Sequence, residues 1–258
     1  RPPHHYPEHT IMNTTNPAHG FAAPASTTPG PTRRVVDAPT RMFHWLFALC
    51  FTLAYVTADG ERWRLVHVTL GYTLAGLLAF RLCYGLIGPR QARLSLLWRK
   101  LAGLPAWLRS LQPGMAGDVN WRQGQNLLMT LAVAALMAVV LPVAISGYAT
   151  YNDWGGEWLA ELHEFTGELF LWLVLGHLAL ILGLSLLRRK NQAQPMLAGR
   201  VPGAGPDLAQ KNHGALAVLL LAAVLAFWAW QWQQSPVGPL ADNTPGATRA
   251  GSHHADDD

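Results

Sequence analysis

The sequence predicts an all-α membrane protein: a four-helix transmembrane bundle followed by a fifth, C-terminal transmembrane helix. Two observations carry this expectation. The 258 residues are 50% hydrophobic and only 13% charged, about half the charged content of a soluble domain. Five apolar stretches, each close to the twenty or so residues that cross a bilayer core, alternate with Arg-rich connections. Two Cys in the whole chain exclude a disulfide scaffold and a Cys-ligated zinc or iron–sulfur site.

The first stretch runs from about Met42 to Ala58 and holds no charged residue, although it needs a residue or two more to cross comfortably. The second, about Leu65 to Ile87, carries a single charge, Arg81. The third, about Asn126 to Gly147, is uncharged and contains Pro142, which membrane helices tolerate. The fourth, about Glu161 to Leu187, concentrates its Glu residues in the first two turns. The fifth, about Gly214 to Trp232, ends in a Trp cluster (WAWQW) suited to the interfacial belt. Between the second and third, Leu94 to Leu111 mixes Leu, Trp and Arg as a surface-lying segment would, with Pro105 breaking any long helix.

Orientation follows from the basic residues. Arg33, Arg34 and Arg41 precede the first span, six Lys or Arg lie between the second and third, and five lie between the fourth and fifth. No Lys or Arg occurs between Arg122 and Arg188, a stretch that holds Asp153, Glu157, Glu161, Glu164 and Glu168. The N-terminus is therefore expected in the cytoplasm and the C-terminus outside. The net charge of +4 reflects this asymmetry, and no nucleic-acid partner is expected. The expected organisation is a disordered cytoplasmic segment (1–34), the four-helix domain (35–190), a cytoplasmic linker (191–213), the fifth helix (214–232) and a disordered periplasmic tail (233–258). The chain opens with Arg1, and Met12 (MNTTNPAHG) reads as a natural start. The first span has no n-region and A-x-A site, so it reads as a span and not as a cleaved signal.

The chemistry rests on histidine. Of 11 His, four fall in apolar spans: His44, His67, His163 and His177. His4, His5, His9, His19, His253 and His254 lie in the tails, and His213 just precedes the fifth span. Ionisable groups inside membrane helices are rare and functional, and neutral imidazole ligates metals, haem iron included. His163 and His177 are 14 residues apart on one helix, about 21 Å of rise and within about 40° of four full turns. They project from one face, one near each leaflet. His67, at the outer end of its span, then opposes His163, and His44, at the inner end of its span, opposes His177. Two bis-His haem b groups result, and the absence of C-x-x-C-H excludes covalent attachment. The alternatives are a non-redox transporter or metal permease subunit using intramembrane His, although further Cys, Met or Asp would be expected along a metal path.

Arg81 follows His67 by the same 14 residues and sits at the depth of the inner haem. With no Asp or Glu in the inner half of any span, a propionate of that haem is its expected partner, and snorkelling to the surface is the other reading. Arg62 and Arg64 stand similarly for the outer haem. Gly71, Gly76 and Gly176 admit close approach, either of a porphyrin or of a packed helix.

These residues resemble a known family. DAPTRMFHWLFA around His44, HVTLGYTLAGLLAFRLCYGLIGPRQAR from His67 to Arg93, SGYATY, and LHEFTGELFLWLVLGHLA from His163 to His177 resemble the cytochrome b subunits of membrane-bound nickel–iron hydrogenases and the bacterial cytochrome b561 proteins. The likeness covers about Val35 to Lys190. Tyr84 stands where such proteins often have Trp, and the fifth span lies outside the shared core. The resemblance implies a respiratory dihaem electron carrier of the bacterial inner membrane, between quinone and a partner: a periplasmic redox protein, or hydrogenase or dehydrogenase subunits. The acidic surface between Tyr151 and Glu168 reads either as a docking face for a basic c-type cytochrome or as the outer half of the positive-inside asymmetry. A quinone reductase or quinol oxidase step, even one acting on oxygen or superoxide without a partner, shares the same haems.

Overall fold

The computed structural model describes residues 30–112 and 119–234. The expectations for the first 29 residues, the end of the tail and the six tail histidines lie outside them. Five long helices dominate. Helix α1 (Ala38–Val56) starts at Asp37, whose carboxylate accepts the Thr40 backbone N–H at 3.3 Å, with Pro39 in the first turn. A 3-10 turn (Glu61–Trp63) leads into α2 (Arg64–Ile87). Two short helices follow, α3 (Leu94–Leu101) and α4 (Leu104–Arg109), with Pro105 in the first turn of the latter. Asn120 caps α5 (Trp121–Tyr151), which carries Pro142 internally, and α6 spans Glu157–Arg188. After α7 (Gln194–Ala198) comes the fifth long helix, α8 (Gly214–Gln234).

The helices starting at Glu61, Trp121, Glu157 and Gly214 are long and apolar enough to cross a membrane. Helix α1 is the exception. Its apolar part begins at Met42, giving about 22 Å of rise against a core of roughly 30 Å. A stretch this short can still cross where flanking residues such as Arg41 snorkel or the bilayer thins, and α1 is also the packing centre: Leu46, Cys50 and Ala54 lock against Leu70 and Leu77 of α2 and Leu220 and Val224 of α8. At 31 and 32 residues, α5 and α6 outrun the bilayer and must tilt or protrude. They pair along their length. A second core forms where Leu78 of α2, Val140 of α5 and Phe170 of α6 meet Phe47 and Phe51 of α1. Phe165, Leu169, Trp172, Leu182 and Leu186 of α6 face outward, the apolar stripe that lipid would cover.

Two expectations about the connections are corrected. The N-terminal segment contributes a strand: β1 (Thr32–Arg34) pairs antiparallel with β2 (Arg200–Pro202), Arg33 opposite Val201. The 191–213 segment is therefore a folded clamp and not a linker. Arg41 donates to the Met196 and Leu197 carbonyls, Trp45 Nε1 donates to Met196 at 3.1 Å, and Asp207 accepts the Arg34 N–H. Gly199, at φ +72°, accepts the N–H groups of Val35 and Val36, and a Cβ there would press to 2.9 Å on the Val36 carbonyl oxygen. This ribbon joins positions 168 residues apart, so no local pattern announces it.

Candidate functional site

Helix α6 packs along α5 and faces α1 and α2 across the bundle, and both of its histidines look that way. His163 meets His67 of α2 with ring centroids 6.0 Å apart and planes at 89°. His67 Nδ1–H donates to the Ala54 carbonyl at 2.8 Å, and His163 Nδ1–H donates to the Val143 carbonyl at 3.0 Å. Ser146 Oγ, which donates its own proton to the Pro142 carbonyl at 2.6 Å, lies 3.4 Å from His163 Nδ1. A carbonyl only accepts, so the proton of each ring is on Nδ1 and the lone pair is on Nε2. That is how metal-binding imidazoles are oriented by their surroundings. The spacing also fits: with metal–imidazole bonds of about 2.0 Å, two rings on opposite sides of one ion have centroids roughly 6 Å apart. Gly147 makes the fit tight, because a Cβ there would stand 2.7 Å from His163 Cε1.

The second pair is His44 of α1 and His177 of α6, close enough for the His44 ring to sense charge on His177. Trp45 stands edge-on to His44 with centroids 5.3 Å apart. Unlike the first pair, Nδ1 of His44 and Nδ1 of His177 are both buried without a hydrogen-bond partner among the described residues. Orphaned polar atoms of this kind are uncommon and call for a reason.

Each pair offers two imidazole nitrogens, donors that would suit a b-type haem. No group of three His, Cys, Asp or Glu side chains gathers among the described residues, and the intramembrane histidines meet there in pairs. Gly71, Gly76 and Gly176 have open space where a Cβ would point, as does Gly167, one turn beyond His163. They are not packing glycines. The helix surface is open at these four positions, with Gly76 and Gly176 on exposed faces.

Arg81 has different company from that expected. It is largely buried, its Nη1 donates to the Ala92 carbonyl at 3.0 Å, and the neighbouring ionisable groups are Asp37 and Tyr84. The premise that the inner end lacks an acid is corrected by Asp37. It is 1% exposed, and its second oxygen accepts the Tyr84 hydroxyl at 2.6 Å. Asp37 was legible only as a helix cap; its burial comes from Tyr84, 47 residues away, closing over it. Arg62 and Arg64 lie over the Trp63 and Tyr151 rings, each at 5.7 Å.

Phe170 is the other residue the sequence reading passed over. It lies seven residues from each α6 histidine, is 4% exposed, and stacks edge-on with Phe51 at 4.6 Å and with Phe47 at 6.2 Å. It thus closes the bundle between the two histidine pairs. The halved His-to-His interval was the available signal.

With this geometry in hand, the similarities are informative. The chain is 23% identical over 166 residues to the probable Ni/Fe-hydrogenase 1 B-type cytochrome subunit of Escherichia coli (strain K12), covering 54% of this chain and 68% of that protein. The same subunit of Escherichia coli O157:H7 matches equally. No solved structure matches. The family model for prokaryotic cytochrome b561 matches residues 35–199, which takes in all four intramembrane histidines and the clamp as far as Gly199, and the chain belongs to that family.

Proposed function

We propose that this multi-pass membrane cytochrome moves electrons across the bilayer through two b-type haems, between the quinone pool and a partner redox protein. Membership of the family supports transmembrane electron transfer with b-type haem; the number of haems and the ends of the path are inferred from the residues. When bound, each haem takes up and releases one electron at a time.

His67 and His163 would supply Nε2 lone pairs at one site, and His44 and His177 would supply one imidazole nitrogen each at the other. The Ala54 and Val143 carbonyls fix the outer rings and raise their basicity, a lever on potential. Phe170 and its aromatic neighbours keep water out of the centre. The observation that carries the reading is the His67–His163 pair, two rings at metal-sharing distance with both Nδ1 protons turned away.

The alternation of basic and acidic connections supports an N-terminus in the cytoplasm and an α8 far end outside the inner membrane. The exposed acids Asp153, Glu157 and Glu161 then face outward, where a basic periplasmic electron-transfer protein would dock. The relative named as a hydrogenase cytochrome subunit favours hydrogenase subunits as the partner.

Haem extraction and optical redox titration test this. The full chain is expected to hold two haems. His67→Ala or His163→Ala should remove one spectral component, and His44→Ala or His177→Ala the other. Loss of the same component in His44→Ala and His67→Ala would sink the pairing, and a colourless chain would sink the reading.

A further inference from the structure

We infer that the groove formed by the α2–α3 turn and the clamp is a binding site for the phosphate headgroup of an anionic phospholipid. A cavity of about 790 Å³ opens beneath the end of α2, and Arg90, Arg93, Arg99 and Lys100 all line it. A second cavity of about 370 Å³ shares Arg90 and Leu208 with the first and adds Lys211. The two form one groove with five cations and, among the described residues, no acidic lining residue.

The groove is built, not a chance gathering of surface charge. Its first wall is the turn Arg90–Ala92, fastened to α2 where the half-buried Arg81 donates to the Ala92 carbonyl. Arg93 is steadied by its Nε donating to the Gly88 carbonyl at 3.1 Å. The opposite wall carries Leu208, whose N–H donates to the Arg34 carbonyl at 2.9 Å, beside β1. Segments distant in the chain thus hold guanidinium and ammonium groups around one concavity, and guanidinium matches phosphate oxygens in charge and in planar geometry.

A soluble phosphate would satisfy the cations alone. The neighbours favour a lipid. Leu86 and Ile87, the last apolar residues of α2, are 71% and 85% exposed, and Trp98 of α3, beside Arg99, is 74% exposed. Apolar side chains at the end of a membrane helix, next to a Trp and a cationic hollow, accept acyl chains and headgroup together. The inference rests on the membrane-spanning reading and is independent of haem number.

Native mass spectrometry of the full-length protein in detergent tests it, with phosphatidylglycerol and phosphatidylcholine of matched chains as probes. Phosphatidylglycerol is expected to bind at least tenfold more tightly. Each cation near an anionic headgroup contributes roughly 1 kcal/mol, a factor of about five, so Arg99→Gln with Lys100→Gln should weaken it about 25-fold. Arg122→Gln, a cation at the exposed start of α5 outside the groove, should change nothing. Inorganic phosphate at millimolar concentration should not displace the lipid. Equal binding of the two lipids, equal loss in Arg122→Gln, or displacement by inorganic phosphate would each overturn the assignment. Haem absorbance, recorded in parallel, should stay constant throughout.

Discussion

The two histidine pairs share a helix and a chemistry but not a degree of preparation. His67 and His163 are each tethered through Nδ1 to a backbone carbonyl, and Gly147 lies against the His163 ring. His44 and His177 have no partner for Nδ1 among the described residues, and α1, which carries His44, is the shortest of the long helices. One site is organised by the polypeptide alone; the other depends more on what it holds. A tethered ring has little orientational freedom left to lose on ligation, whereas an untethered one loses it at that step.

Four changes can break or sharpen this contrast. The largest effect is expected from Gly147→Val. Its side chain would occupy the space of the His163 ring, so extracted haem should fall by half while the inner component persists. Loss of the inner component instead would reverse the assignment of leaflets to pairs.

Next comes Phe170→Ala. Removing a buried ring from between the two pairs should cost about 3–5 kcal/mol, read as a lower midpoint of thermal unfolding in detergent. Both haem components should broaden together, because Phe170 belongs to neither pair. An unchanged midpoint would mean that the centre of the bundle repacks freely.

Arg81→Gln separates two roles. If the guanidinium serves Asp37 and the Ala92 turn, the variant loses stability, by about 1–3 kcal/mol for an acid left buried without its counter-charge, and the inner haem keeps its potential. A lower inner potential in redox titration would instead restore the propionate partnership. Tyr84→Phe, which takes the hydroxyl from Asp37, is the matched control for the stability loss.

The smallest effect is expected from Ser146→Ala. It removes the hydroxyl beside His163 but leaves the Val143 carbonyl in place. A change of about 1 kcal/mol or less in outer-haem retention should follow, with no change at the inner site. A large loss would show that the hydroxyl, and not the carbonyl, holds the ring.

Much of the design was readable without coordinates. The bilayer penalises polar residues so heavily that four intramembrane histidines stand out, and helical periodicity alone puts His163 and His177 on one face. Length and hydropathy located all five long helices to within about five residues at each end, because hydrogen bonding in lipid leaves the chain few choices but helix. The alternation of basic and acidic connections is likewise a property of composition.

What the sequence could not contain is anything that depends on two distant segments meeting. Arg34 and Arg200 bear no mark of the ribbon they form, and 191–213 reads as linker until Arg41 and Trp45 are seen holding it. Asp37 looks like an ordinary cap until Tyr84 buries it. Which carbonyl orients which imidazole is decided by helix rotation and depth, fractions of a turn that spacing arguments do not resolve. Local pattern and solvent fixed the helices and their inventory of ligands. Packing fixed the partners, because a hydrogen bond or a van der Waals contact is settled at a few ångströms and not at the scale of a helical turn.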